Sequence, residues 1–306
     1  MLRARSFGIA MTTLLFAGLA FLIATRGGTH AGATRVPSGP NSLAIGDGTV
    51  WVASSEVGSV SRINARTHAV TATVHVGGVP LQAAFADGAA WVTNSSRDEV
   101  VRIDPAANRI SNKVAVGDAP DAIAVDDAAV WAANEKGDSI SRIDPGSDSV
   151  VATIPVGRRP LGVAVGFGAV WVANATDRTV SRIDPATSSV VATIPVDGRS
   201  PAAITTTADS VWVANRRSRS VTRIDPTSNT VTDTTRVGSR PLALTAGDGA
   251  VWVANVEDNT VSRIDADTGR VVRTTPVGSD PSALLVNDGT LWVASDGDNE
   301  ISFLRT

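Results

Sequence analysis

The sequence lacks cysteine and tyrosine and contains only three histidines among its 306 residues. Without cysteine, the chain has no disulfides, no thiol nucleophile and no thiolate-ligated metal. With His30, His68 and His75 as the only imidazoles, most histidine-based acid–base and zinc sites are also excluded. We therefore expect neither a bound metal nor a cofactor.

Positive charge is carried almost entirely by arginine, because Lys113 and Lys136 are the only lysines. The whole chain has a net charge of −3. Without Arg3, Arg5 and Arg26, it retains 24 basic and 30 acidic side chains, a net charge of −6. A general nucleic-acid binder needs a net basic footprint, so we expect no nucleic-acid partner.

The first 31 residues have the pattern of a signal peptide or signal anchor. Two arginines precede an apolar stretch at residues 7–24, which is long for a signal-peptide core and short for a membrane span. Small side chains around Ala31 and Ala33 favour cleavage there, and an uncleaved anchor is the alternative. Either way, we expect residues 32–306 to lie outside the cytoplasm, with membrane contact only through the N-terminal segment.

Seven tryptophans divide the rest of the chain into repeats of 40 or 41 residues. Such a period is typical of propellers, arrays and solenoids. The repeated residues are Trp51, Trp91, Trp131, Trp171, Trp212, Trp252 and Trp292.

Each repeat contains four short stretches rich in valine, isoleucine and threonine, separated by Gly, Pro, Asp and Asn, as residues 160–200 illustrate. Proline cannot donate to a strand ladder, so Pro155, Pro195 and Pro276 place the fourth stretch at an outer edge. The pattern predicts an all-β fold, a seven-bladed β-propeller of four-stranded antiparallel blades spanning residues 32–306.

The two ends of this domain predict how the ring closes. The last repeat stops after its third stretch at Thr306, and residues 31–36 occupy the register of a fourth strand. We expect this N-terminal strand to pair with residues 300–306 and complete the last blade, which removes exposed sheet edges between the first and last blades.

Two repeated side chains are expected to hold the blades together. Each tryptophan should be buried in a blade core. In six repeats an arginine lies in the third stretch, where its stem should pack between blades and its head should meet carboxylates or carbonyls. These arginines are Arg62, Arg102, Arg142, Arg182, Arg223 and Arg263.

The repeat VWVAN…TVSRIDP…VVATIPVG…P resembles the YVTN-type 40-residue propeller repeat over residues 34–306. Its VWVAN segment is also similar to that of streptogramin lyases, which are seven-bladed propellers. The second resemblance implies magnesium-dependent C–O bond elimination with a histidine general base. However, the last six blades contain no histidine, so the implied catalytic positions have no visible counterpart.

The predicted channel offers little for catalysis. Its first strands carry mainly small and apolar residues, and Gln82 is the one unusual polar residue, which we expect to be solvated. The acidic segments at 265–269 and 296–300 lack the full calcium-loop pattern and are better explained as turns.

Charge on one predicted loop face is the most informative functional signal. Loops between second and third strands and loops between blades share this face, which divides into a sector of net charge +6 and one of −11. Arginine suits phosphate and carboxylate groups, so we take the basic sector as a candidate ligand-binding site, with ordinary solubilising charge as the alternative. The candidate residues are Arg158, Arg159, Arg199, Arg216, Arg217, Arg219 and Arg240.

These observations favour an exported, monomeric, non-enzymatic propeller that binds a protein or an anionic envelope polymer through this face. A lyase or hydrolase of the streptogramin-lyase type is the alternative. A catalytic site should break the near-identity of the repeats with convergent polar groups, and the sequence does not single out such a set.

Overall fold

The computed structural model describes residues 32–306, which form seven four-stranded antiparallel sheets. The predicted signal segment lies outside the described residues. The first three blades comprise β2 (Pro40–Gly46), β3 (Thr49–Ser54), β4 (Ser59–Asn64) and β5 (Val70–His75); β6 (Pro80–Ala86), β7 (Ala89–Asn94), β8 (Glu99–Asp104) and β9 (Arg109–Ala115); and β10 (Pro120–Val125), β11 (Val130–Asn134), β12 (Ser139–Asp144) and β13 (Ser149–Pro155).

The remaining blades follow the same order, and one turn of 3-10 helix at Ser95–Arg97 interrupts a loop. They comprise β14 (Pro160–Gly166), β15 (Ala169–Asn174), β16 (Thr179–Asp184) and β17 (Ser189–Pro195); β18 (Pro201–Thr206), β19 (Val211–Asn215), β20 (Ser220–Asp225) and β21 (Thr230–Arg236); β22 (Pro241–Gly247), β23 (Ala250–Asn255), β24 (Thr260–Asp265) and β25 (Val271–Pro276); and β26 (Pro281–Asn287), β27 (Thr290–Ser295) and β28 (Glu300–Arg305).

The seventh blade is closed by the N-terminal strand, as the sequence predicted. Strand β1 (Ala33–Arg35) pairs antiparallel with β28, and the sheet order is β1-β28-β27-β26. Ala33 lies opposite Ser302 and Arg35 lies opposite Glu300. The two ends of the described chain therefore meet in one sheet. Within residues 32–306, no helix has the length and apolarity needed to cross a bilayer.

Each blade core is built around the tryptophan of its second strand. Six of the seven indoles are fully buried, and Trp252 is 4% exposed. Trp171, for example, packs with Ala169, Val180 and Ile194 of its own blade and with Ile204 of the next. Burial of an indole removes roughly 200 Å² from water, so these residues contribute strongly to sheet-on-sheet packing.

Five of the six third-strand arginines bond the following blade, which confirms the predicted packing role. Arg182 lies directly across the sheet from Trp171, with its guanidinium 5.2 Å from the indole centroid. The same guanidinium donates to the carbonyl of Pro226 and to Oδ1 of Asn229 in the following blade, both at 3.0 Å. A cation–π contact and an inter-blade hydrogen bond thus come from one side chain.

The closing blade replaces this arginine contact with an aromatic one. Phe303 occupies the arginine position opposite Trp292, and it stacks on His68 of the first blade at a centroid distance of 3.8 Å. His68 stands in the turn where other blades place Asn108 or Asn229, and all three residues have positive φ. Arginine and its acceptor have therefore both been exchanged at the seam between the last and first blades.

We predict that Trp171→Ala lowers the free energy of unfolding by about 3–5 kcal/mol, because it leaves a cavity in a closely packed core. Val191→Ala is the control, since that side chain is 56% exposed and should change stability by less than about 0.5 kcal/mol. Urea denaturation measures both, and similar losses would contradict the assigned core.

For the seam, we predict a coupling of about 0.5–1.5 kcal/mol between Phe303→Ala and His68→Ala in a double-mutant cycle, since each removes the same ring contact. A cycle of Phe303→Ala with His75→Ala should show none, because His75 is exposed at the end of the outer strand β5. Additive effects for the first pair would rule out the stacked seam.

Candidate functional site

Three positions of each repeat surround the axial opening on the loop face, which we call the mouth. They are the residues just before and just after the first-strand proline, and the residue after the second strand. In the first two blades all six are uncharged, as with Gly39, Asn41 and Ser55. In the following blades the same positions carry Asp121, Glu135, Arg159, Arg216, Arg240, Asp280 and Asp296.

Four of these side chains line an axial cavity of about 460 Å³, namely Asp121, Glu135, Arg159 and Arg216. Arg159 Nε donates to Glu135 Oε1 at 2.7 Å, and the Arg159 backbone N–H donates to Asp138 Oδ1 at 2.8 Å. The charged groups of three successive blades are therefore brought to one opening. The sequence assigned Asp121 and Glu135 only to a general acidic sector and did not place them beside the arginines.

Asp121 is the most perturbed titratable group at the mouth. Burial raises the pKa of its carboxyl to about 7, and the negative charge of Glu135 adds to the rise, whereas Arg216 and Arg159 oppose it. Burial also lowers the pKa of Arg216, and the positive charges of Arg240 and Arg159 act in the same direction. A half-buried carboxyl that titrates near neutrality thus stands beside a half-buried guanidinium.

A second cavity, which we call the arginine cavity, opens beside the mouth with a volume of about 570 Å³. Arg159 and Arg216 border both cavities. Five of the seven predicted arginines line it together with two serines and one glutamate. The lining residues are Arg159, Ser200, Arg216, Arg217, Arg219, Ser239, Arg240 and Glu257.

The other two predicted arginines are not in this lining. Arg158 forms an ion pair with Asp177, with Nε 2.7 Å from Oδ1. Arg199 lies in the adjoining loop, where its backbone N–H donates to Ser218 Oγ at 2.7 Å and its carbonyl accepts from Arg217. The structure therefore separates Arg158 and Arg199 from the five arginines that converge.

The loops that carry the mouth residues are held by buried asparagines at the ends of the second strands, a role that sequence reasoning missed. Asn174 donates to Thr179 Oγ1 and Ser181 Oγ at 3.0 and 2.9 Å. Gly157 packs on this asparagine, where a Cβ would lie only 2.7 Å away. The 40-residue recurrence of Asn was the available signal, and the set is Asn94, Asn134, Asn174, Asn215 and Asn255.

Below the mouth, first strands line the axial cavity as expected, and Gln82 is among the lining residues. Its Oε1 accepts from the Ile123 backbone N–H at 3.3 Å, and its own N–H donates to Thr93 Oγ1 at 3.0 Å. Gln82 therefore joins the second blade to the third in addition to facing the cavity.

The residues at the mouth do not fit a magnesium-dependent, histidine-based elimination. Neither His68 nor His75 lines the axial cavity, and Glu135 is engaged by Arg159. Across residues 32–306, no three histidine or acidic side chains come together as a metal site would require. The magnesium and the histidine base implied by the sequence resemblance thus have no counterpart among the described side chains.

Fold and site together define a seven-bladed propeller with a charged axial mouth, and solved structures share the propeller fold. A virginiamycin B lyase from Staphylococcus aureus superimposes with a TM-score of 0.79 at 18% identity, covering 90% of this chain and 99% of that one. Its catalytically inactive histidine-to-alanine variant, solved with quinupristin, gives 0.80 at 19% identity over 90% and 98%. Hydrazine synthase from Kuenenia stuttgartiensis gives 0.75 at 17% identity over 94% and 99%.

The family model of the virginiamycin B lyase family matches residues 79–306. The chain belongs to this family, which confirms the resemblance to streptogramin lyases found in the repeats. No curated protein matches the sequence. Because the structural matches are below 20% identity, they establish the fold and not the activity.

The raised pKa of Asp121 predicts a pH-dependent stability. Asp121 stays protonated in the folded chain up to about pH 7 but ionises near its ordinary value of 3.8 when unfolded. The folded state therefore binds more protons between these limits, and stability falls as pH rises through the window.

Asp121→Asn removes this penalty, so its stability relative to wild type should rise by roughly 1–2 kcal/mol between pH 4 and pH 7, allowing for partial exposure. Chemical denaturation at several pH values measures the difference. Asp127→Asn, at an exposed position in the loop between β10 and β11, is the matched control for replacing one aspartate by asparagine. A flat difference for Asp121→Asn would contradict the raised pKa.

Proposed function

We propose that this chain is an exported, non-enzymatic propeller that binds an anionic envelope polymer or a negatively charged protein through the arginine cavity. The observation that carries the proposal is the convergence of five arginines from three successive blades on one cavity, with Glu257 as its one acidic lining residue. Clustered arginines repel one another, and bound phosphate or carboxylate groups relieve that repulsion.

The state of the individual side chains supports this function. Arg217 and Arg240 are exposed, and Arg219 makes only a loose contact with Asp258, 4.0 Å between Nη2 and Oδ2. Ser200 and Ser239 add hydroxyl donors to the same lining. Exposed guanidinium groups with few internal partners are available to a ligand, whereas a blade-linking guanidinium such as that of Arg182 contacts its tryptophan and bonds the next blade.

Export is part of the proposal because the ligand class is found at the cell envelope. It is supported by the cationic, then apolar N-terminal segment before residue 32. A chain without cysteine also has no thiol that an oxidising compartment could oxidise.

Lyase activity is the second candidate, and the family match favours it. Incubation of the purified chain with quinupristin and magnesium, followed by chromatography, tests it directly. Disappearance of quinupristin would establish the second candidate, and its persistence with an active lyase as positive control would remove it.

We predict that the triple variant Arg216→Gln, Arg217→Gln, Arg219→Gln binds polyglycerol phosphate or polygalacturonate at least tenfold more weakly than wild type at low salt. Each lost phosphate or carboxylate contact removes a charge-assisted hydrogen bond and reduces the salt dependence of binding. Titration at several ionic strengths gives both quantities.

The matched control is Arg66→Gln, Arg109→Gln, Arg270→Gln, which removes the same charge from three exposed arginines. They lie beside turns between third and fourth strands, on the face opposite the mouth. This variant should keep wild-type affinity. Equal losses in both triple variants would show that only net charge matters, and the proposal would fail.

A further inference from the structure

The axial cavity contains two opposite charges that are not paired with each other. Among residues 32–306, no hydrogen-bond donor reaches the carboxylate of Asp121, and the guanidinium of Arg216 enters no hydrogen bond or ion pair. Both side chains line the same cavity. The neighbouring charges Arg159 and Glu135 neutralise each other at 2.7 Å. The lining of the axial cavity therefore retains one carboxyl group and one guanidinium group without a charged partner.

Half-buried charges of this kind are costly unless a partner is supplied. A simple anion would pair with Arg216 but would be repelled by ionised Asp121. A simple cation would pair with Asp121 but would be repelled by Arg216. A ligand that carries both an ammonium and a carboxylate satisfies both groups at once. The arrangement is thus complementary to a zwitterion.

The lining of the axial cavity also contains apolar residues, seven of them leucines from the first strands of different blades. A volume of about 460 Å³ lies within the range of about 300–1,000 Å³ that small-molecule sites occupy. The wall therefore accommodates an aliphatic group attached to the charged head. Three of the leucines directly follow first-strand prolines, level with Asp121, and the other four lie further along the strands; the set is Leu81, Leu161 and Leu242, then Leu43, Leu244, Leu284 and Leu285.

We infer that the axial cavity binds a free α-amino acid with an apolar side chain, with its ammonium on Asp121, its carboxylate on Arg216 and its side chain directed into the channel. In a peptide, one of the two charges at the α-carbon is lost to the amide bond, so the free amino acid is the better match. This site is additional to the arginine cavity, because Asp121 lines only the axial cavity.

The test is calorimetric titration of the purified full-length chain with L-leucine, alongside 4-methylpentanoate, which lacks the ammonium, and L-leucinamide, which lacks the carboxylate. We expect leucine to bind at least tenfold more tightly than either analogue, because each analogue leaves one charge unpaired. Equal binding of leucine and 4-methylpentanoate, or no binding of any of the three, would overturn the inference.

Two single substitutions test which side chain binds the ammonium of the ligand and which binds its carboxylate. Asp121→Asn should weaken leucine at least tenfold and leave 4-methylpentanoate unchanged or improved, whereas Arg216→Gln should weaken both. Asp127→Asn, an exposed change of the same chemistry, should leave leucine binding at the wild-type value. Thermal melts establish that each variant is folded. Wild-type leucine affinity in Asp121→Asn would overturn the assignment.

The pH dependence in the wild-type protein is a test that needs no substitution. The charged groups that face Asp121 are Glu135, Arg159 and Arg216, and Arg240 acts on Arg216. Since only the ionised carboxylate attracts the ammonium, leucine affinity should rise as pH increases through about 7. A simple anion would show the opposite slope, and that result with leucine would overturn the zwitterion site.

Amino-acid binding in the axial cavity and polymer binding in the arginine cavity can be tested independently of each other. Asp121→Asn should retain polymer binding in the arginine cavity, while Arg217→Gln with Arg219→Gln should weaken polymer binding and leave leucine unaffected, because neither arginine lines the axial cavity. Loss of both activities in either variant would contradict two distinct sites.

Discussion

The structure depends on the contact between a buried tryptophan and the arginine directly opposite it in the next strand. The pairing recurs in six blades with the guanidinium 5.0–5.5 Å from the indole centroid. Because several of the guanidinium groups also bond the following blade, the interior of one sheet fixes the position of the next. Adjacent sheets contact each other through apolar side chains, and these guanidinium bonds fix the angle between the sheets around the axis.

The same framework explains why the mouth can be irregular. Core positions are repeated almost unchanged because each must fit two neighbouring sheets, and close packing tolerates little change in volume. Mouth residues flank a first-strand proline or follow a buried asparagine or serine at the end of a second strand, so their backbone is fixed while their side chains can vary. The charge at the mouth positions therefore varies from blade to blade without disturbing the cores. These positions are neutral in the first two blades, acidic in the third, basic in the fourth to sixth and acidic in the seventh.

Most of the fold could be predicted from the sequence because its signals repeat seven times. Tryptophan spacing gave the number of blades, proline gave the outer edge, and the incomplete last repeat gave the closure by β1. The site was less accessible. Arg216 and Asp121 are 95 positions apart in the chain. They come together only because their blades surround the same axial cavity. The exchange of arginine and asparagine for Phe303 and His68 was equally hidden, since each change alone looks like random variation.

The replacement at the seam has a consequence for how the ring comes apart. Continuous polypeptide crosses every blade boundary, but at the junction of the last and first blades it runs from β1 into β2, and the three residues of β1 are held in the last blade only by pairing with β28. Both ends of the described chain therefore lie in the last blade, and side chains such as Phe303 and His68 complete its contact with the first. Force applied to the N-terminus would therefore detach the three-residue strand β1 from β28 before it acts on any complete blade. If the segment before residue 32 tethers the protein, the strand that closes the ring, β1, is also the strand that carries the mechanical load.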